Sequence, residues 1–166
     1  MKIIAVIPAY NTAPAVAEVI ASGRPHVQDI VVVDDGSRDE TAQRVRETGA
    51  RLVQHSINRG QGAALQTGMD TALLLGADII VHFDSDGQHP AHQIADLVQP
   101  IIAGTHDVVL GSRFLDTTSN VPPARRAILK AGGVFTRLMS GLEINDPHSG
   151  FRALSREAAE KIRFRQ

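Results

Sequence analysis

Runs of β-branched residues alternate with segments of helical periodicity along this chain, and that alternation restricts its possible folds more than any other feature. The β-rich runs occupy residues 2–7, 29–35, 51–56, 78–84 and 107–112. Helical patterns occupy residues 13–22, 37–49, 60–75, 91–103 and 124–141. Strands that alternate with helices form mainly parallel sheets with right-handed crossovers and helices on both faces. The sequence therefore predicts an α/β fold, a three-layer sandwich around a mainly parallel central sheet.

Three segments add detail to this prediction. The run DIVVVDD at 29–35 has no polar alternation, which is typical of a strand covered on both faces. The next segment carries Ser37 and Glu40 in the capping-box spacing and stops at Gly49, which predicts Ser37 as the N-cap of a helix. Pro90 suits the first turn of the helix that follows it.

The composition is that of one globular domain, which we assign to residues 1–166. The chain is 43% hydrophobic and 21% charged, and is long enough to bury a core. A formal net charge of −1 argues against a general nucleic-acid-binding protein. The absence of cysteine excludes disulfides and thiolate metal sites. The first apolar run ends at Pro8 and no run approaches about 18 uncharged apolar residues, so we expect a cytoplasmic protein.

Polar, turn-forming residues follow four of the predicted strands. They are PAYN (8–11), DDGS (34–37), DSDGQ (84–88) and GSRF (111–114). In open α/β sheets, ligands bind beyond the carboxyl ends of the strands. Four strand ends that share a direction therefore predict a binding site at one edge of the sheet.

Asp84 and Asp86 form the most informative pair at that edge. Residues two apart on an extended segment point the same way, so both carboxylates could hold Mg²⁺ or Mn²⁺, with the Gln88 carbonyl as a further ligand. Asp-x-Asp-Gly is also common turn chemistry, and the pair alone does not decide between these interpretations. An EF-hand loop is excluded, because Gly and Glu are missing at its sixth and twelfth positions.

Other motifs leave alternatives open. His82, His89 and His92 surround the acids and could indicate a mixed His/Asp metal site or ordinary polar positions. Of Asp34 and Asp35, one could belong to a turn and the other bind a ribose hydroxyl or base N–H.

Two further motifs are also open to more than one interpretation. Gly60 and Gly62 do not fit a dinucleotide fingerprint, but could let the backbone approach a ligand or simply form a flexible connection. Arg113, Arg125 and Arg126 could bind phosphate, although a solvated basic face is the ordinary role of the last two.

Taken together, six motifs follow one another from residue 8 to residue 154. They are PAYN (8–11), VVVDDGSRDET (31–41), NRGQGAALQTGM (58–69), DSDGQHP (84–90), GSRF (111–114) and DPHSGFRAL (146–154). In this order they resemble the motifs of family 2 glycosyltransferases, most closely the branch of dolichyl- and polyprenyl-phosphate sugar transferases. The resemblance implies a GT-A (Rossmann-like) fold, a nucleotide-sugar donor, Mg²⁺ or Mn²⁺ as cofactor, and inversion at the anomeric carbon.

Carried over position by position, the resemblance also implies roles for individual residues. Donor binding is implied for Pro8, Ala9, Tyr10, Asn11, Asp35, Gly36, Gly62, Asp84 and Ser85. Metal binding is implied for Asp84, Asp86 and Gln88. Acceptor-phosphate binding is implied for Arg113, Arg125, Arg126, Ser149 and Arg152. Catalytic roles are implied for Asp86, Arg113 and Asp146, the last as the base if the acceptor is a hydroxyl group.

The expected activity is metal-dependent transfer of a hexose, as in mannosyltransferase-like relatives, to a polyprenyl (dolichyl) phosphate or a similar acceptor. The chain departs from the family in reading AILKAGG after Arg126 and in lacking the usual C-terminal extension. The acceptor site could therefore be left open, with donor binding but weak or no transfer, or could be completed by a second copy or a partner subunit. Peripheral contact with the inner face of the membrane is expected from a lipid acceptor. The alternatives are a non-catalytic nucleotide-sugar-binding remnant and a sugar nucleotidyltransferase.

Overall fold

The computed structural model describes residues 1–85, 90–111 and 150–162, and within them six strands and five α-helices. The strands are β1 (Ile3–Ala9), β2 (Asp29–Asp34), β3 (Arg51–Gln54), β4 (Ile79–His82), β5 (Val108–Leu110) and β6 (Arg152–Ser155). The helices are α1 (Val16–Gly23), α2 (Thr41–Glu47), α3 (Gln61–Leu74), α4 (Ile94–Ile102) and α5 (Arg156–Lys161). Single 3₁₀ turns at Arg24–His26 and Ala91–Gln93 follow α1 and precede α4.

The six strands form one sheet in the order β3-β2-β1-β4-β6-β5. β1 pairs in parallel with β2 and with β4, and β2 pairs in parallel with β3. β6 is antiparallel to both of its neighbours, β4 and β5. The prediction of an α/β fold with a mainly parallel sheet is confirmed. The structure adds one reversed strand, inserted between two strands that precede it in the chain.

Side chains of the central strands alternate between two apolar layers. In β1, Ala5 and Ile7 pack with α1 and α4, while Ile4 and Val6 pack with α3 and α5 on the opposite face. The valines of β2 divide in the same way, and all of these side chains are fully buried. Burial on both faces explains why β2 reads as a continuous apolar run instead of an alternating one.

The predicted start of α2 was wrong. The helix begins at Thr41, and the Ser37 hydroxyl instead accepts a hydrogen bond from the Asn11 N–H at 2.9 Å. Asp39 accepts hydrogen bonds from both the Thr41 N–H and its hydroxyl. The capping-box spacing failed because the Ser37 hydroxyl is used to join this loop to the one that follows β1.

The other predicted helices agree with the structure within the described ranges. The segment after Pro90 begins as a 3₁₀ turn before α4, and the predicted helix at 124–141 lies outside the described residues. The short α5 was not predicted; it starts after Ser155, whose hydroxyl accepts a hydrogen bond from the Ala158 N–H. Across residues 1–85, 90–111 and 150–162, no helix combines the length and apolar character needed to cross a bilayer.

Candidate active-site cleft

A cleft of about 700 Å³ lies at the carboxyl ends of β1, β2 and β4, beside the first turn of α3. Its lining residues are Pro8, Ala9, Tyr10, Thr12, Asp35, Asn58, Gly60, Gln61, Gly62, Ala64, Leu65, Asp84, Ser85, Gly150 and Arg152. Because β6 runs in the opposite direction, it contributes the residues at its beginning. The cleft is where the strand-end motifs predicted a site, and it collects residues from five separate stretches of the chain.

Asp35 is the most constrained acid in the cleft. Its Oδ1 accepts hydrogen bonds from the Arg59 N–H at 2.9 Å and from His55 Nδ1 at 2.7 Å, and its Oδ2 accepts one from the Gly60 N–H at 2.7 Å. Burial raises the pKa of Asp35, but these three donors together outweigh it and hold the pKa below its usual value. Asp35 is therefore a buried but ionised carboxylate at neutral pH.

His55 connects Asp35 to α3. Its Nε2 lies 2.9 Å from Thr67 Oγ1, and its side chain is only 6% exposed. The His55 backbone N–H donates to the Asp34 carbonyl oxygen, which extends the pairing of β2 and β3 by one residue. Strand pairing and helix packing therefore hold the imidazole ring on both sides.

Asp34 and Asp35 have separate roles. Asp34 is fully buried, and its two oxygens accept hydrogen bonds from the Ser37 N–H and from Gln54 Nε2, both at 3.0 Å. It is therefore the turn residue of the pair, whereas Asp35 reaches the cleft.

Gly36 follows this turn. It adopts φ of 72°, and a Cβ there would lie 2.6 Å from the Ile57 carbonyl carbon. Gly36 lies beside a second, smaller cleft of about 550 Å³ that shares Tyr10 with the first.

Asn11 belongs to the turn that closes β1. It adopts φ of 52°, and its side-chain oxygen accepts a hydrogen bond from the Arg38 N–H at 2.9 Å. Asn11 lines neither cleft. Its polar atoms hold the loops after β1 and β2 together, which fixes the position of its neighbour Tyr10.

Asp84 occupies the opposite end of the cleft from the Asp35 loop, one residue beyond Phe83. Gln61 Nε2 lies 3.4 Å from Asp84 Oδ1, and a Cβ on Gly150 would overlap the Asp84 carboxylate. Arg152 lies nearby: burial lowers its pKa, and the Asp84 charge acts in the opposite direction. The absence of a side chain at Gly150 lets the Asp84 carboxylate pack against it, and a carboxylate that lines an open cleft is the kind of oxygen ligand that Mg²⁺ and Mn²⁺ prefer.

The mixed His/Asp metal site gains no support from the described residues. His82 is fully buried in β4, where burial and the charge of Arg152 lower its pKa to about 3 and keep the ring neutral. His92 is exposed at the 3₁₀ turn before α4, and His89 lies outside the described residues. Within the described ranges, no three His, Asp or Glu side chains form a group that could hold a metal ion.

Several predicted site residues lie outside the described residues: Asp86, Gln88, Arg113, Arg125, Arg126, Asp146 and Ser149. Within the described ranges, the cleft contains residues that the sequence analysis had not selected. Thr12, Asn58, Gln61 and Leu65 are among them. Asn58 and Gln61 flank the Gly60 turn, so the glycine spacing was a usable signal. The link between His55 and Thr67 has no local signal, because it depends on how β3 and α3 meet.

Comparison with known sequences supplies the family. The model of the family described as glycosyl transferase family 2 matches residues 4–163. The chain belongs to this family. The resemblance predicted from the six motifs is thus confirmed, and with it the assignment of the enzyme class as a glycosyltransferase.

Among curated relatives of this family 2 chain is a UDP-N-acetylglucosamine–dolichyl-phosphate N-acetylglucosaminyltransferase from Methanococcus voltae. It is 34% identical over 177 residues, which cover 95% of this chain and 70% of the relative. A polyprenol monophosphomannose synthase from Mycolicibacterium smegmatis is 31% identical, over 97% of this chain and 64% of the relative.

A solved structure also resembles this family 2 chain. Glucosyl-3-phosphoglycerate synthase from Mycobacterium tuberculosis, in complex with Mn²⁺, UDP and glucosyl-3-phosphoglycerate, has a TM-score of 0.73 and 30% identity, covering 94% of this chain and 57% of that one. The GT-A fold prediction is confirmed by this likeness. The chain spans between 57% and 70% of the length of these three proteins.

Proposed function

We propose that this chain transfers a hexose, with inversion at the anomeric carbon, from a nucleotide diphosphate sugar to a polyprenyl phosphate or a similar phosphate acceptor. The observation that carries the proposal is the convergence of Asp35 and Asp84 on one cleft at the carboxyl edge of the sheet. Membership of glycosyl transferase family 2 supplies the reaction class. The activities for which the Methanococcus and Mycolicibacterium relatives are named favour a lipid phosphate as the acceptor.

The proposed donor fits the two ends of the cleft. Its volume of about 700 Å³ lies within the range of ligand pockets in proteins. At one end, the ionised Asp35 can accept a hydrogen bond from a base N–H or a ribose hydroxyl, and Tyr10, which is 45% exposed, offers a ring for stacking. Gly62, in the first turn of α3, lets the backbone approach the diphosphate between these ends.

The proposed cofactor is Mg²⁺ or Mn²⁺, held by Asp84, Asp86 and Gln88. When bound, such an ion stabilises the negative charge that develops on a diphosphate leaving group. Asp84 supplies an oxygen ligand at the cleft, and Gly150 makes room for its carboxylate there. The presence of Mn²⁺ and UDP together in the M. tuberculosis enzyme supports this assignment without separating the two metals.

For the acceptor, we propose that basic side chains neutralise its phosphate. Arg152 brings a positive charge to the Asp84 end of the cleft, and Arg113, Arg125, Arg126 and Ser149 are proposed partners. A phosphate acceptor is already ionised at neutral pH and needs no general base. Asp146 would serve as the base only for a hydroxyl acceptor. A lipid acceptor would place the protein peripherally at the cytoplasmic face of a membrane.

The test measures donor binding first and transfer second. We expect the wild type to bind UDP or GDP, in isothermal titration calorimetry, at least about tenfold more tightly with Mn²⁺ than without it. Asp84→Asn should lose most of this Mn²⁺-dependent gain, because an amide is a weaker metal ligand than a carboxylate. The second measurement is transfer of labelled hexose to polyprenyl phosphate in anionic vesicles, which we expect to occur. We also expect the protein to sediment with these vesicles.

Asp96→Asn is the matched control, because Asp96 is an exposed acid in the first turn of α4. This variant should keep both the nucleotide affinity and its dependence on Mn²⁺. The proposal fails if Mn²⁺ does not change the nucleotide affinity of the wild type and Asp84→Asn does not change that affinity either. It also fails if the wild type joins a sugar phosphate to a nucleoside triphosphate and transfers no hexose.

A further inference from the structure

We propose that His55, held by Thr67, is a positioning residue for the donor: it orients the Asp35 carboxylate so that Asp35 can accept a hydrogen bond from the donor's nucleoside. This inference rests on the proposed function, since it takes the nucleoside to lie at Asp35. It assigns a role in donor binding to two residues that do not line the cleft where the donor is proposed to bind. Both would act through Asp35 and neither would touch the reacting atoms.

The first step decides which nitrogen of the His55 ring carries a proton. Asp35 is ionised and can only accept hydrogen bonds, so His55 Nδ1, at 2.7 Å, must carry a proton. In the neutral ring, Nε2 is then an acceptor and takes the hydrogen bond from the Thr67 hydroxyl at 2.9 Å. Thr67 therefore stabilises the tautomer that donates to Asp35, besides fixing the plane of the ring.

The second step is a count of the acceptor positions on Asp35. Each carboxylate oxygen can accept about two hydrogen bonds. Within the described residues, Oδ1 accepts two, from Arg59 N–H and His55, while Oδ2 accepts one, from the Gly60 N–H. One position on Oδ2 is therefore available for a ligand in the cleft that Asp35 lines. A base N–H or a ribose hydroxyl is the matching donor.

The third step concerns rotation of the carboxylate. The terminal torsion of an aspartate is soft, so the orientation of its oxygens depends on the donors around them. Arg59 and Gly60 donate from a loop that turns at Gly60, whereas His55 is held by β3 on one side and α3 on the other. His55 is thus the donor with the most rigid support. Without it, Oδ1 has a vacant acceptor position, and a nucleoside can bind in more than one arrangement.

The fourth step excludes nucleophilic chemistry by these residues. A threonine, a histidine and an aspartate in series resemble a hydrolytic triad, but the Thr67 hydroxyl lines neither cleft, and His55 lines the second, smaller cleft and not the one proposed for the donor. The His55 side chain is 6% exposed, and its Nε2 is occupied by Thr67. Of these three residues, a substrate in that cleft contacts only Asp35, so His55 and Thr67 can act on the substrate only by positioning Asp35.

Two variants and two controls test the inference by calorimetry with Mn²⁺ present. The ligands are the tighter-binding of UDP and GDP, and inorganic pyrophosphate, which lacks the nucleoside. We expect His55→Leu to weaken nucleotide binding about tenfold and Thr67→Val by about threefold, because each weakens a hydrogen bond to a charged group or its support. Pyrophosphate affinity should stay within about twofold of the wild-type value, because its proposed contacts lie at the Asp84 end.

Thr67→Ser keeps the hydroxyl and should restore wild-type nucleotide affinity. Thr71→Val is the matched control: Thr71 lies one turn further along α3, and its hydroxyl donates only to the Thr67 carbonyl oxygen at 2.8 Å. It should leave the affinity for both ligands unchanged. With a nucleotide-sugar substrate, the KM of Thr67→Val should rise while kcat stays close to the wild-type value.

Three results would overturn the inference. If Asp35→Asn loses nucleotide affinity while His55→Leu and Thr67→Val retain it, the positioning role is wrong and the proposed function stands. If His55→Leu and Thr67→Val weaken UDP and pyrophosphate equally, their effect is general damage to the fold. If the wild type binds no nucleoside diphosphate, the proposed function and the inference fail together.

Discussion

Asp34 and Asp35 show how much the surroundings of a side chain decide its role. The two are adjacent on the chain and identical in chemistry. Asp34 accepts hydrogen bonds from Ser37 and Gln54 and is fully buried, so it stabilises the end of β2. Asp35 accepts from two backbone N–H groups and from His55, and it lines the cleft. The strand-end pattern alone left open which of them reaches a ligand, because that depends on the loop at 58–60, whereas the family resemblance selected Asp35.

The lowered pKa of Asp35 predicts how its contribution to stability depends on pH. Above about pH 5, we expect Asp35→Asn to unfold more easily than the wild type by about 1–3 kcal/mol, because an amide cannot accept from all three donors. The folded-state pKa of Asp35 lies below its unfolded value, so this stabilisation is present above about pH 4 and is lost as the pH falls through the folded-state pKa. Urea unfolding of both proteins from about pH 7 to pH 3 measures the difference.

Asp96→Asn again serves as the control, because Asp96 is an exposed acid on α4. Its stability should track that of the wild type at every pH. A constant difference between wild type and Asp35→Asn across the whole range would contradict the lowered pKa. A difference that grows as the pH falls would mean that folding raises the pKa of Asp35 instead of lowering it.

At the scale of elements, sequence reasoning worked where local pattern and topology agree. Asp35, Asp84 and Tyr10 were found because each follows a β-rich run, and parallel strands bring their carboxyl ends to one edge. The start of α2 was missed because the Ser37 hydroxyl bonds to Asn11, a residue from another loop. The capping pattern is a local rule, and a contact between loops overrides it.

The turn after β2 depends on Gly36 for two separate reasons. Its φ of 72° is unfavourable for a residue with a side chain, and a Cβ would lie 2.6 Å from the Ile57 carbonyl carbon. We expect Gly36→Ala to lower the free energy of unfolding by about 3 kcal/mol or more, as the sum of backbone strain and overpacking. Chemical denaturation followed by circular dichroism measures this change.

Gly104 separates the two contributions. It has a similar φ of 69°, but nothing lies within 4 Å of the position its Cβ would take. Gly104→Ala should therefore cost only about 1 kcal/mol, which is the backbone term alone. Equal losses for the two variants would show that the loops at Gly36 and Ile57 are not in close contact in solution.

At the scale of the whole molecule, the least predictable feature is β6. It follows β5 in the chain by more than forty residues, yet it lies between β4 and β5 and runs antiparallel to both. Its local sequence indicates a strand but carries no information about its partners, since pairing is decided by which edge of the sheet is free. This insertion brings Gly150 and Arg152 to Asp84, so the Asp84 end of the cleft depends on long-range pairing.

The cleft is therefore assembled from distant parts of the chain, and ligand binding should be visible in all of them at once. With UDP or GDP and Mn²⁺, we expect amide hydrogen exchange to slow together in the segments 8–12, 58–65 and 150–152, each of which contributes residues to the lining of the cleft. Loops that precede β4 and β5, at 75–78 and 103–107, lie at the opposite edge of the sheet, because β5 runs in the same direction as β4, and they should exchange as before. Mass spectrometry of peptic fragments at short labelling times measures both sets.

Short labelling times matter because a ligand that binds only the folded state also slows exchange that requires global unfolding. The loops at both edges exchange through local opening, so a local ligand contact should protect only the edge that it touches. Asp84→Asn under the same conditions should lose protection at 150–152 first, because Gly150 lies against the Asp84 carboxylate. Equal slowing at both edges would mean that the nucleotide stabilises the fold without occupying this cleft. If hydrogen exchange slows at 58–65 but not at 150–152, the beginning of β6 is not part of the binding site. Asp84 would then have no role in holding the diphosphate.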